Sequence, residues 1–157
     1  MSSSFKTNRI RTLDQLMEHW PLFSEGLEYL NGLVPEEKKL DTMAFFGAAV
    51  NALRKGEKKG HVAVYSEDTS GPFGFTITFA SDSPFDQVPT AVIYAAYTRR
   101  TITGASRYGL SHVEKWAKGA GFEELQAFTP RINGKGFALF EKRFKFRRWL
   151  VCFVKRI

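Results

Sequence analysis

Arg99 and Arg100 stand immediately before a turn rich in Thr and Gly, and at this grouping residue type and spacing first suggest chemistry. The longest apolar run of the chain, Ala91-Val-Ile-Tyr-Ala-Ala-Tyr97, feeds the turn, and a strongly amphipathic segment follows it. A buried strand ending in a polar, glycine-containing turn at a helix start is a recurrent cradle for a phosphate-bearing ligand. Unpaired backbone N–H groups and the helix dipole both face the anion there. An Asn133-Gly134 step and a second helical segment come next, so residues 90–140 form the unit that the rest of the chain supports.

Other kinds of site find little support. His19, His61 and His112 have no partner at metal-ligand spacing and read as surface or capping residues, so no metal is expected. Cys152 sits in an apolar strand and reads as inert core. Ser106 is not in a Gly-x-Ser-x-Gly elbow, and Gly134-Lys135-Gly136 lacks the Ser or Thr of a nucleotide-binding loop.

The elements that must position the unit follow from periodicity. Residues 5–11 read as a short edge strand, and Thr12 with Gln15 predicts a capping box opening a helix that Pro21 breaks or restarts before Leu22–Tyr29. After Asn31-Gly32, Pro35-Glu36-Glu37 predicts a helix start, with Leu40, Met43, Phe46, Gly47, Val50 and Leu53 as its apolar stripe. His61–Glu67 and the alternating Phe73, Phe75, Ile77 and Phe79 predict a hairpin with one buried face. The loop 81–89, with Asp82 and Asp86, is placed at the rim of a cleft. Ala91–Tyr97 is apolar on both faces, as a central strand should be.

A helix from about Thr103 to Lys118 then carries Leu110, Val113, Ala117 and Ala120 inward and His112, Glu114, Lys115 and Lys118 outward. Glu124–Thr129, a short helix at Lys135–Arg143 and a strand at Arg148–Lys155 complete the order ααβββαβαβ. The expectation is one mixed α/β (α+β) domain over residues 1–157, with a helical part at 1–60 and the sheet at 61–157.

A chain of 157 residues with 43% hydrophobic and 25% charged residues is globular in composition and can bury its own core. One cysteine excludes an internal disulfide framework, the first seven residues are polar, and no apolar run approaches membrane-spanning length. A soluble, cytoplasmic protein with no membrane partner is expected. The net charge of +7 is concentrated at one end: residues 131–157 hold nine Lys and Arg against the single Glu141, a local +8 that leaves −1 for the first 130 residues. These cations alternate with Phe137, Phe140, Phe144, Phe146, Trp149 and Phe153, which suits an anionic partner such as nucleic acid or cofactor phosphates as well as a solvated face beside a core strand.

The element order and the sequence from residue 90 onward resemble the GNAT superfamily of acyl-CoA-dependent N-acyltransferases. Val113-Glu114-Lys115-Trp116-Ala117-Lys118 and Gly121-Phe122 are similar to the helix that follows the family's phosphate turn. Counting back from them places that turn, usually Q/R-x-x-G-x-G/A, on Thr101-Ile102-Thr103-Gly104-Ala105-Ser106. Gly104 matches; Thr101 and Ser106 depart from the pattern, while Arg99, Arg100 and Arg107 are at hand to supply charge. Asn133, Leu139, Glu141 and Lys142 fall at the offsets of the family's later motif, but its tyrosine is Phe140 here.

The resemblance implies a mostly antiparallel central sheet flanked by helices, with a splayed central strand. It implies acetyl-CoA or another acyl-CoA as cosubstrate, held by Ala96, Tyr97, Thr98, Arg99, Arg100, Thr103, Gly104, Ala105, Ser106, Arg107, Asn133 and Phe140. Acyl transfer to an amine needs a deprotonated amine, a polarised carbonyl and a proton for the thiolate. A backbone N–H near Tyr97–Thr98 would meet the carbonyl. Tyr94, Tyr97 and Ser106 are the catalytic candidates, with Tyr108, Glu67, Asp82 and Asp86 as further proton-transfer groups. In a regular strand Tyr94 and Ala96 point one way and Tyr97 the other, so at most one of the two tyrosines is expected to face the cleft.

An N-acyltransferase of unspecified amine acceptor is thus the leading reading. The basic end favours an acceptor carried on nucleic acid, in a compact chain similar to bacteriophage GNAT-like proteins that modify DNA bases and have divergent phosphate turns. The alternatives are a non-catalytic GNAT-like protein that binds nucleic acid or another anion through Lys142–Arg148 and Trp149, and a plain interaction module.

Overall fold

The computed structural model describes residues 4–127, 141–142 and 145–146. β1 (Phe5–Ile10), α1 (Leu13–Glu18) and α2 (Trp20–Asn31) are followed by a 3₁₀ turn at Glu36–Lys38 and by α3 (Thr42–Arg54). Next come β2 (Gly60–Glu67), β3 (Gly71–Ala80), β4 (Thr90–Thr98), α4 (Ala105–Gly119) and β5 (Glu124–Ala127). The five strands lie in the order β1-β2-β3-β4-β5; all neighbours are antiparallel except β4 and β5, the pair joined through α4. This is the mixed, mostly antiparallel, helix-flanked sheet anticipated from the sequence, with residues 5–10 as its edge strand. The expected helix at 135–143, except for Glu141 and Lys142, and the strand at 148–155 lie outside the described residues, as do Asn133, Phe140 and Cys152. No helix among the described residues is long and apolar enough to cross a membrane.

The first helices form as their caps dictate. Thr12 and Gln15 complete the capping box, and Pro21 sits in the first turn of α2, where its missing N–H costs nothing. The third helix starts later than Pro35 suggests. The Asn31 amide clasps Leu40, donating to its carbonyl (2.9 Å) and accepting from its N–H (2.8 Å). Residues 35–38 therefore close only a 3₁₀ turn, and Asp41 becomes the cap, accepting from the amides of Met43 and Ala44. The inward stripe shifts accordingly to Phe45, Ala49 and Ala52, flanked by Phe46, Val50 and Leu53, while Leu40 and Met43 are 37% and 71% exposed.

The hairpin of β2 and β3 is buried on both faces rather than one, because helices cover both sides of the sheet. On one side α1, α2 and α3 pack Leu16, Phe23, Leu27 and Phe45 against Val62, Val64, Phe75 and Ile77. Phe23 stacks on Phe75 at 4.3 Å, and full burial of each such ring contributes about 2–3 kcal/mol. On the other side α4 covers Ala63, Tyr65 and Phe73. Tyr65 donates to the carbonyl of Gly109 (3.3 Å) and pairs with Thr76 (2.7 Å), so its buried hydroxyl is satisfied. His61 is also buried here rather than at the surface, with His112 and Trp116 at centroid distances of 5.2 and 5.0 Å. Burial, with Arg9, His112 and Arg11 nearby, pushes its pKa down to about 3, so the ring is neutral.

A register shift in β4 matters most for the site. Ile77 pairs with Ala95 and Thr78 with Ile93, so Tyr94 is an extra residue with no partner on β3. The bulge resets the alternation: Tyr94, Ala95 and Tyr97 all contact the core beneath α2 and α3. The expectation that Tyr94 and Tyr97 point to opposite faces is therefore corrected; one inserted residue brings them to the same side.

Candidate functional site

Pairing of β4 with β5 ends at Ile93 and Ala127 among the described residues, while its pairing with β3 continues to Thr98. Beyond the bulge Ala95–Thr98 stay paired with β3, and Tyr94–Thr98 line a cleft of about 780 Å³. The cleft has two walls. One runs from Ala95 and Ala96 through Thr98 to the start of α4; the other is the end of α2 and the segment after it, with Tyr29, Leu33, Val34 and Leu40.

The first wall is mostly backbone. Gly104 caps α4 at φ +83, a conformation open to glycine and strained for most other residues. A turn joins Ile102 N–H to Arg99 O (3.3 Å) and Ala105 N–H to Ile102 O (3.3 Å). The amides of Ser106 and Arg107 begin the helix without an i−4 partner inside it. Thr98 Oγ1 and Ser106 Oγ lie 2.9 Å apart and tie the strand end to the helix start. Ile102, Thr103, Gly104, Ala105 and Ser106 line the cleft; Arg107 does not.

The second wall is made of side chains, and α2 comes close enough to build it because residue 26 is glycine. A Cβ there would collide with the Phe75 ring. This approach carries Glu25 to the end of β4, where its Oε1 accepts from the Tyr97 hydroxyl (2.6 Å) and Arg99 Nε (2.8 Å) and its Oε2 from Arg99 Nη2 (2.6 Å). Hydrogen bonds from Arg99 and then Tyr97 lower the Glu25 pKa to about 2. Burial, followed by the hydrogen bond to that carboxylate, raises Tyr97 to about 12; burial also raises Tyr94. Both phenols are therefore protonated at neutral pH. Arg100 turns toward this wall, donating to the Tyr29 hydroxyl (2.6 Å) with its guanidinium 5.3 Å from the Tyr29 ring centroid.

The sequence-predicted residues Tyr94, Ala96, Tyr97, Thr98, Arg99, Arg100, Thr103, Gly104, Ala105 and Ser106 all line this one cleft. Four other proton-transfer candidates do not line it: Glu67 accepts from Ser70, Asp82 pairs with Lys55, Asp86 accepts from Gln126, and Tyr108 bonds Thr7 and Phe5. Glu25 and Tyr29 were missed. Their only sequence signal is the i, i+4 spacing that puts them on one face of α2. All sixteen Asp and Glu residues occupy described positions, as do the three His, and none of these lines the cleft. Among the described residues its ionisable lining is Lys38, Arg99, Arg100 and tyrosines. No group of three or more His, Cys, Asp or Glu suited to a metal exists among the described residues.

No protein-family model matches the chain, and no curated protein matches its sequence significantly. Solved structures do match its fold. The aminoglycoside acetyltransferase AAC(6')-Iy, in complex with the bisubstrate analogue CoA-S-monomethyl-acetylneamine, superposes with a TM-score of 0.68 at 15% identity, covering 99% of this chain and 100% of its own. A ribosomal-protein-alanine N-acetyltransferase from Brucella melitensis biovar Abortus 2308 gives 0.67 at 16% identity, covering 98% and 99%. The aminoglycoside acetyltransferase meta-AAC0020, from an uncultured soil metagenomic sample and in complex with sisomicin, gives 0.63 at 13%, covering 98% and 96%. The chain thus has the GNAT fold that its sequence resembles, shared over nearly its whole length with acetyltransferases of low sequence identity.

Proposed function

We propose that the protein is an acyl-CoA-dependent N-acyltransferase. The observation that carries this reading is the continuity of the bulged β4 with the left-handed Gly104 turn and the first turn of α4 along one cleft. Those parts fit an acyl-CoA. The amides of Ser106 and Arg107 at the helix start suit a pyrophosphate, the cleft-lining backbone of Tyr94–Thr98 suits an amide-containing arm, and no carboxylate lines the cleft to oppose the phosphates. Thr98, Thr103, Gly104, Ala105, Ser106 and Arg107 are assigned to the cofactor, and Asn133 and Phe140 only through the sequence resemblance.

The bound thioester supplies an activated acyl carbon. The acceptor nitrogen bonds to it, the C–S bond breaks, and the sulfur leaves with the bonding pair. No lining Asp, Glu or His is present to take the ammonium proton, so the amine reacts as its neutral form after losing that proton to solvent. The nearby cations favour this by disfavouring a further positive charge. Tyr94, at the bulge and protonated, is assigned as proton donor to the departing sulfur; the nitrogen gives up its second proton to solvent as the amide forms, and solvent returns one to the Tyr94 phenolate. Tyr97 has its proton committed to Glu25 and orders the strand end instead. Ser106, bonded to Thr98, belongs to the phosphate turn.

Thermal stabilisation by acetyl-CoA tests the reading. A ligand that binds only the folded state raises Tm by mass action, and at a hundredfold excess over Kd the gain is about 2.7 kcal/mol. Ser106→Asp should abolish that rise without lowering the ligand-free Tm, because an acid in the first turn favours the helix yet repels phosphate. Absence of any rise at millimolar acetyl-CoA contradicts the proposal.

The basic, aromatic segment 131–157 suits nucleic acid or another anionic partner by composition alone. Binding to single- or double-stranded DNA that falls steeply with salt and needs no CoA would favour the non-catalytic alternative.

A further inference from the structure

We infer that the acceptor is an apolar amine bearing its own carboxylate, of the class of hydrophobic amino acids, and not a polycation. This rests on the acyltransferase reading and names the acceptor class for the same cleft. The wall away from the phosphate turn presents Tyr29, Leu30, Leu33, Val34, Leu40 and Tyr94. It suits an aliphatic or aromatic body, and the charges set into it have one sign.

Lys38 lines the cleft and makes no ion pair among the described residues, and Arg100 is anchored on Tyr29. Glu25, which lies behind this wall, is already engaged through both oxygens by Arg99 and Tyr97. No other Asp or Glu side chain of the protein is available, since all sixteen are placed and none lines the cleft. An amine-rich substrate would therefore enter a cationic pocket with no counter-charge, a cost that grows with each ammonium group. An acceptor with a single amine and a carboxylate meets that field with its anion and seats its apolar body on the aromatic and aliphatic wall. The solved neighbours complexed with aminoglycoside ligands share the fold, so the difference predicted here lies in side chains and not in topology.

The test uses the full chain and four acceptors: L-phenylalanine, phenethylamine (the same body without the carboxylate), phosphoethanolamine (an anion without the body) and kanamycin. Binding is read as added thermal stability of the protein saturated with CoA, and turnover as thiol release from acetyl-CoA. L-phenylalanine should stabilise the CoA-loaded protein and exceed each of the others in kcat/KM by at least about tenfold. Lys38→Glu, on an exposed residue, should erase that preference and move the acid limb of the pH profile to higher pH, because the acceptor ammonium regains a favourable field. A retained Tm rise with acetyl-CoA reports that this variant is folded. Kanamycin, phenethylamine or phosphoethanolamine matching L-phenylalanine overturns the inference, and so does absence of phenylalanine binding at millimolar concentration in protein that acetyl-CoA stabilises. Absence of acetyl-CoA stabilisation in the wild type instead removes the acyltransferase reading, and this inference with it.

Discussion

The two walls of the cleft are built from different materials. The wall at the start of α4 is backbone: a left-handed glycine, first-turn amides and the end of β4. The wall at the end of α2 is side chains: Tyr29, Leu33, Val34, Lys38 and Leu40 on a segment held by the Asn31–Leu40 clasp. A backbone wall tolerates exchange of its residues so long as the glycine stays. Thr101 and Ser106 can therefore depart from the usual pattern while the turn remains intact. A side-chain wall has no such tolerance, and there specificity is set. The comparison predicts that damage to the first wall removes the cosubstrate, whereas damage to the second changes the acceptor.

The largest effect should come from Gly104→Val. A β-branched residue at φ +83 costs about 1–3 kcal/mol in that conformation. Titration calorimetry should show acetyl-CoA affinity falling by one to two orders of magnitude, and an unchanged Kd would mean that the turn does not hold the phosphates. Next in size is Tyr94→Phe, which keeps the ring in the core and deletes the proposed proton donor. Its kcat should fall by about tenfold to a hundredfold with acetyl-CoA affinity intact; loss of affinity without loss of turnover would make Tyr94 a binding residue.

The smallest effect concerns the brace between the walls. The Glu25 pKa is about 2 in the folded protein against an ordinary 4.5, a depression, so its stabilisation is complete above the ordinary value and is lost as pH falls from there toward 2. The carboxylate and Arg99 side chains are 39% and 41% exposed, so solvent screening holds the contribution to at most about 1 kcal/mol. Chemical denaturation of wild type and Glu25→Gln should differ near neutral pH and converge as acid is added. A gap that widens toward low pH would reverse the sign.

Much of the first wall was legible in the sequence, because it is made by neighbours in the chain. The apolar run, the glycine turn and the amphipathic helix are local signals, and β4, Gly104 and α4 appear where these signals place them. The second wall was not legible, because it is made at a distance. Glu25 meets Tyr97 and Arg99 across 72 and 74 residues, and nothing in the spacing of α2 announces those partners. The bulge at Tyr94 is a property of the pairing between β3 and β4, invisible in the hydrophobic alternation of either strand, yet it decides which way two tyrosines face. The start of α3 was misplaced for a similar reason: Asn31 fixes Leu40 from nine residues away and hands the cap to Asp41.

The central claim is that the end of β4 and the first turn of α4 hold an acyl-CoA. Amide hydrogen exchange with and without acetyl-CoA tests it most directly. Protection should appear at residues 94–98 and 104–107 while β1 and β2 exchange as before. Protection confined to the basic segment 131–157, or none at all, would contradict the claim.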